Sequence, residues 1–175
     1  IQVHREALLR ILDAPNKRSS RHGWKLYGEW LMARHSIPYH RLPGQFMAFD
    51  LYDIASDRFV SQARLHAALQ GSGIPVCPCI WEPVFAPGVD LESELLNMLD
   101  TQSQFRTDGG PLEGIVFRVE DGNWVKSRCK LVRPDFVAGC MDGHWSKRTI
   151  EKQTVDFDFA EAYMKKCYSR ASDGI

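Results

Sequence analysis

The chain has no net charge: 22 Lys and Arg balance 22 Asp and Glu over 175 residues. Composition alone therefore makes no case for a polyanionic partner, and any such case has to come from where the charges lie. No apolar run approaches the ~20 residues of a membrane span, so no membrane partner is expected. Internal repeats and low-complexity segments are absent, which excludes a solenoid or a disordered tail as the main architecture. Cysteine is sparse and odd in number, at Cys77, Cys79, Cys129, Cys140 and Cys167. With no secretory signal, this favours reduced thiols and a cytoplasmic setting over a disulfide framework. Cys77-Pro-Cys79 is too closely spaced for the usual zinc pair and has no second pair, so these thiols are expected in the core.

What remains is a chain of ordinary globular composition, 44% hydrophobic and 25% charged, long enough for one domain with a real core. Its charges are segregated. Residues 1–41 carry eight Lys/Arg against three Asp/Glu, residues 82–113 seven Asp/Glu against one Arg, and residues 124–148 six Lys/Arg against two Asp. Two basic zones flanking an acidic one fit a phosphate-lined cleft or an ordinary mixed surface equally well.

Local signals define the elements. Residues 2–13 place Ala7, Leu8, Ile11 and Leu12 on one helical stripe, closed by Pro15 and the polar run that follows. Residues 24–30 and 45–54 read as strands, separated by a loop broken at Pro38 and Pro43. Ser61 caps a helix through Leu69 that Gly71-Ser-Gly73 ends, Asp90 caps one through Leu99, and a last helix spans about 157–168. Val76–Trp81 reads as a short apolar strand, and residues 101–111 as a polar loop. Residues 112–119 and 124–132 form a hairpin around the Asp121-Gly122 turn signal.

The hairpin carries the most informative chemistry. Leu112-Glu113-Gly114-Ile115-Val116-Phe117-Arg118 puts a carboxylate at the entry of a β-branched strand. The following strand presents Lys126, Arg128 and Lys130 at every second position, which strand periodicity places on one face directed towards Glu113 and Glu29. A carboxylate able to hold a hard cation opposite a row of cations suits a triphosphate tail. The same residues would also make an ordinary solvated hairpin.

A resemblance strengthens the first reading. Leu26-Tyr27-Gly28-Glu29, Phe46-Met-Ala-Phe49-Asp50, Glu113-Gly114-Ile115-Val116 and Arg128-Cys129-Lys130 occur in the order of motifs III, IIIa, IV and V of the ATP-dependent RNA ligases. The blocks Ala33-Arg34-His35-Ser36-Ile37-Pro38-Tyr39, Val132–Val137 and His144–Arg148 are also similar to segments of bacterial and phage RNA ligases. The resemblance covers roughly residues 24–150 and reaches the covalent nucleotidyltransferase superfamily, with DNA ligases and mRNA capping enzymes. It implies an α+β nucleotidyltransferase (ATP-grasp-like) ligase domain with antiparallel-rich sheets and flanking helices. Residues 1–23 would be an N-terminal helix and linker, 24–150 the ligase domain, and 151–175 a C-terminal helix.

The resemblance implies ATP and Mg²⁺ (or Mn²⁺) as cofactors and RNA 5′-phosphate and 3′-hydroxyl ends as partners. By the same analogy Glu113 is the metal-site candidate, and Arg128 and Lys130 hold the α-phosphate. Arg128 stands where the motif usually has lysine, which keeps the charge and changes the geometry. Lys126 and Arg133 are further phosphate contacts, Glu29 meets the ribose hydroxyls, and Phe46 stacks on adenine. Asp50 is either a polar support or a strand-exit turn residue, and Phe49 is a core residue. Arg34, His35, Arg133, Lys147 and Arg148 are the weaker nucleic-acid contacts; a loop histidine is the default role of His35, and a helix anchor is an equally good role for Trp145.

One element of the pattern is missing. The family's nucleophile is the lysine of Lys-x-Asp-Gly, N-terminal to motif III, and no lysine of this sequence is followed by x-Asp-Gly. The sequence starts at Ile1, so the expectation is a ligase portion incomplete at its N-terminus, whose missing part is an expected partner and whose sheets show open edges. Such a chain would not by itself take up AMP covalently. The alternatives are a DNA ligase or capping-type nucleotidyltransferase, and a non-catalytic nucleotide- or RNA-binding remnant.

Overall fold

The computed structural model describes residues 4–13, 23–34, 37–80, 88–139 and 151–169. The elements run α1 (Arg5–Asp13), β1 (Trp24–Trp30), β2 (Phe46–Asp53), β3 (Arg58–Phe59), α2 (Gln62–Leu69), α3 (Leu91–Met98), β4 (Gly114–Asp121), β5 (Trp124–Val132), α4 (Pro134–Gly139) and α5 (Phe157–Ser169). The fold is mixed α+β with antiparallel sheets. β1, β2 and β3 form one sheet in that order, and β4 and β5 form a separate hairpin.

The core lies under the β1–β2–β3 sheet. Ala48, Leu51, Val60, Leu65, Leu69, Ile74 and Val76 form one buried cluster, with Trp24, Leu26, Phe46 and α1's Leu8 and Ile11 packed against it. A fully buried Leu or Ile of this kind contributes roughly 1.5–3 kcal/mol. α2 starts where Ser61 accepts a hydrogen bond from the Arg64 amide, and α3 where Asp90 accepts from Ser93. α5 begins at Asp156, whose side chain accepts from the Phe159 amide at 3.0 Å.

The segment after α2 is not a full strand. Val76 makes only an isolated parallel bridge to Ala48, held by Ala48 N–H to Pro75 O at 2.9 Å and Cys77 N–H to Ala48 O at 2.7 Å. Two tyrosines of α5 pin it: Tyr163 donates to Val76 O at 2.6 Å, and Tyr168 to Ile74 O. Those carbonyls alternate with the Pro75 carbonyl used by β2, so the tyrosines tie the opposite edge of the segment to α5. The loop before α5 is tied back similarly: Ala33 bridges Lys152, Leu42 bridges Val155, and the buried Gln153 amide joins the Tyr39 N–H at 2.6 Å to the Leu31 carbonyl at 2.9 Å.

Two bulges break the two-residue alternation. In β1–β2, Tyr27 pairs with Asp50 and Gly28 with Ala48, so Phe49 is the extra residue. In β4–β5, Val119 pairs with Ser127 and Glu120 with Val125, so Lys126 is the extra residue. A one-residue slip exchanges the faces beyond it. Lys25, Tyr27, Glu29, Asp50 and Tyr52 therefore share the face away from the core, while Gly28, Ala48 and Phe46 turn towards the core. The hairpin closes through a two-residue turn with Gly122 at φ 56° and no positive φ at Asn123, the pattern of a type II′ turn.

Candidate active-site face

Asp50 is the centre of the outer face. It is buried, with its side chain 4% exposed, and two arginines of the hairpin reach it. Arg128 Nη1 donates to Oδ2 at 2.6 Å. Arg118 Nη2 lies 3.0 Å from Oδ1 but donates to the Phe49 carbonyl, so Oδ1 gains Arg118's charge and no hydrogen bond. The bulge supplies that carbonyl. Arg118 Nη1 donates to Gln62 Oε1 at 2.7 Å, and Gln62 Nε2 stands 3.2 Å from His66 Nε2. Burial pushes the Asp50 carboxyl above the usual carboxylate range, while Arg118 and Arg128 pull it down. Arg118 and Arg128 are direct cross-strand neighbours. Like charges there repel, and Asp50 is what lets the pair stand.

Arg128 also stacks its guanidinium 4.0 Å from the Phe59 ring centre. It is thus held on two sides while its side chain stays 43% exposed. Lys130, two residues along the same face and opposite Val116, is exposed. Among the described residues neither Lys130 nor Lys126 has an ion-pair partner. The strict alternation expected of the three cations holds for Arg128 and Lys130 and is interrupted at Lys126 by the bulge.

An acidic end adjoins these cations. Burial, then the neighbouring Glu113, then Cys77 and Glu29 push the Tyr39 hydroxyl's pKa well above the usual range. Cys77 is nearby, its thiol pushed up to about 12 by burial and by Glu29 and Asp50, against Arg118. Glu29, Tyr39, Cys77 and Glu113 thus form one neighbourhood contiguous with Asp50. Gly114 lets β5 come close behind Glu113: a Cβ there would stand 2.5 Å from Leu131 O. An open hollow of about 240 Å³ lies on Glu113's flank, walled by Arg106, Arg133, Asp135, Ile37 and Leu112. Arg106 is itself held by Asp108 through two bonds of 2.8 and 2.6 Å.

Other expected site residues fall elsewhere. Phe46 lies on the core side: a Cβ on Gly28 would stand 2.2 Å from its ring, so the glycine is the recess that accepts the ring. The bulge at Phe49 accounts for this, because unbroken alternation would have put Phe46 on the Asp50 face. Arg133 is engaged with Asp135, Asp100 and the Leu99 carbonyl, joining the end of α3 to the start of α4. Arg34 pairs with Glu151 at 2.6 Å. His35, Trp145, Lys147 and Arg148 lie outside the described residues. Arg118, Gln62, Tyr39 and Arg106 join the site without having been singled out in the sequence. No local signal marked Arg118: the turn at Gly122 alone would set it opposite Ser127, and only the bulge at Lys126 brings it opposite Arg128.

No group of three or more His, Cys, Asp or Glu able to hold a metal occurs among the described residues. The carboxylates Glu113 and Glu29 still suit Mg²⁺, which commonly takes one or two carboxylates and completes its shell with water and substrate phosphates. Among the described residues no helix is long and apolar enough to cross a membrane.

A sheet face with two carboxylates at one end and a braced arginine and an unpaired lysine beside them carries the charges that phosphate oxygens and a hard cation call for. The sequence model of a family described as RNA ligase matches residues 1–132, and the chain belongs to that family. No curated protein and no solved structure matches it.

Proposed function

We propose that this chain forms the nucleotide-binding face of an ATP-dependent RNA ligase, which joins a 5′-phosphate to a 3′-hydroxyl through enzyme-bound AMP and an AMP-capped end. The observation that carries the reading is Arg128, fixed by Asp50 and Phe59 with its side chain partly open, next to the free cation Lys130. Phosphoryl transfer asks little covalent chemistry of a protein. It asks for charge held in place before the reaction, so that none of the transition-state stabilisation is spent on reorganisation.

In this reading Arg128 and Lys130 meet the α-phosphate. Arg128 offers a planar fork and Lys130 a mobile point charge. Glu29 accepts from the ribose hydroxyls, and Glu113, beside Tyr39, holds the metal. Mg²⁺ when bound supplies charge screening for the triphosphate. Phe46, partly buried against the core with its ring over Gly28, shapes β1 in this reading rather than stacking on adenine.

The sequence contains no Lys-x-Asp-Gly, so the amine that attacks the α-phosphate is not among its motif residues. That absence also favours a second reading, a nucleotide- or RNA-binding remnant without ligase chemistry. The test is Mg²⁺-dependent ATP binding by this chain, followed by calorimetry. Binding weakened by roughly tenfold or more in Lys130→Ala is expected, as for a lost charge-assisted phosphate contact. No ATP binding, or binding indifferent to Lys130, removes the reading. Joining of RNA ends by a longer form carrying the lysine separates ligase from remnant.

A further inference from the structure

The outer sheet face continues past Asp50, away from the acidic end, into an aromatic patch. Tyr27, the cross-strand partner of Asp50, lies next to Phe59 with ring centres 5.7 Å apart, and Phe59 next to Tyr52 at 5.0 Å. Register places all three on one face with Lys25, which pairs with Tyr52 and stands 5.8 Å from its ring centre. Tyr27 is 40% exposed. Lys25 and Tyr27 are exposed and Tyr52 and Phe59 half-buried, on the side of the sheet opposite the buried cluster.

Resting on the RNA ligase reading, we propose that Tyr27, Tyr52 and Phe59, with Lys25, form a stacking platform for a single-stranded RNA segment leading into the cleft beside Arg128.

Charge favours this occupant. The positive groups on the patch are Lys25 and Arg128; Asp50 is buried between two arginines, and the exposed carboxylate on the same face, Glu29, lies on the side of Tyr27 away from Lys25. Asp57 at the rim accepts from the Tyr52 hydroxyl. A backbone phosphate meets Lys25 or Arg128, and a base meets the exposed Tyr27 ring. Stacking accepts any base through its π-face, which suits an enzyme that joins ends of many sequences. A duplex hides those faces in its own stack, so the platform selects single strands or frayed ends. The patch is continuous with the phosphate-binding residues, because Arg128 belongs to both: it rests on Phe59 and is tied to Asp50.

The experiment is fluorescence anisotropy of a short labelled 5′-phosphorylated oligoribonucleotide with the chain, its Tyr27→Ala, Tyr27→Phe and Lys25→Ala variants, and a duplex competitor. The same proteins are titrated with ATP and Mg²⁺. Tyr27→Ala should bind the single strand roughly tenfold or more weakly, Tyr27→Phe about as well as the parent, and the duplex should compete poorly. ATP binding should survive in both Tyr27 variants. Tyr27→Ala within about twofold of the parent, or a duplex that competes equally, overturns the platform. If Tyr27→Ala does not fold, as judged by its thermal transition, Lys25→Ala decides, and parental RNA binding by that variant overturns the proposal. A parent that binds ATP and RNA but ignores these changes sinks the platform alone. A parent that binds neither sinks the ligase reading with it.

Discussion

The β1–β2–β3 sheet and the β4–β5 hairpin are held by different forces. The sheet has an apolar underside in which Ala48, Leu51 and Val76 are fully buried. The hairpin exposes Val116 and Val119 by more than half and rests on the body mainly through polar and aromatic ties. These are the Asp50 ion pairs, Ser61 N–H to Asn123 O at 2.9 Å, Gln62 N–H to Glu120 Oε1 at 2.8 Å, the Val60–Trp124 bridge, and Arg64 stacked between Trp24 and Trp124. The rigid half presents Asp50, and the weakly packed half brings the cations. Polar attachment has a consequence: hydrogen bonds and ion pairs fix direction more sharply than apolar contact, so Arg128 is aimed although its strand is little buried.

The comparison breaks most strongly at Asp50. Asp50→Ala removes the counter-charge that, among the described residues, two facing arginines share, and leaving such a pair uncompensated costs on the order of 3–5 kcal/mol. Chemical denaturation should show that loss, and amide exchange should show β4–β5 losing protection before β1–β2. Uniform loss across both regions would mean that the hairpin does not depend on Asp50.

Leu65→Ala is the matching cut on the sheet side. Leu65 is 1% exposed in the core cluster, so truncation should cost about 2–5 kcal/mol, through the cavity it leaves. Here the whole molecule should lose stability in a single transition.

His66 sharpens the comparison through pH. It bridges α2 to α5 between Gln62 and Cys167, and the Tyr168 ring meets it edge-on. Burial lowers its pKa below the ordinary 6.5, against a backbone hydrogen bond at Cys167 that raises it. Below 6.5 the unfolded chain binds a proton that the folded chain refuses, so unfolding takes up protons there. Stability is therefore full above about pH 6.5 and falls as the pH drops below it, down to the folded pKa. His66→Gln should flatten the thermal midpoint over that window. An unchanged slope would remove His66 as its source.

The smallest effect on stability is expected at Lys130. Lys130→Ala should change folding stability by no more than about 0.5 kcal/mol, as at an exposed position without partners. Its effect should appear in ATP binding alone. A large loss of stability would mean that Lys130 braces the hairpin instead of receiving phosphate.

Local features were legible from residue order because they depend on near neighbours. The Ser61 and Asp90 caps, the hairpin and its turn, and the strands at β1 and β2 follow from capping, glycine and alternation. β3, only two residues long, and α4 carried no comparable signal. The run Val76–Trp81 read as a strand because it is short and apolar, a pattern silent about whether a partner strand runs alongside; only Val76 meets β2, and the tyrosines that fix its other edge come from α5, 87 and 94 residues further on.

The sequence by itself determined the family, through motifs that the RNA ligase match over residues 1–132 covers, and it determined that a carboxylate precedes a strand of cations. Tertiary structure decided which of those groups meet. Asp50 and Arg128 are 78 residues apart, and their contact depends on how a hairpin docks on a sheet. The bulges at Phe49 and Lys126 decided which face each neighbour takes, turning Phe46 into the core and releasing Lys126 from strict alternation. A strand's two-residue period is a local property, whereas inserting one residue into it answers to the fit between strands and so to the packing of the whole fold.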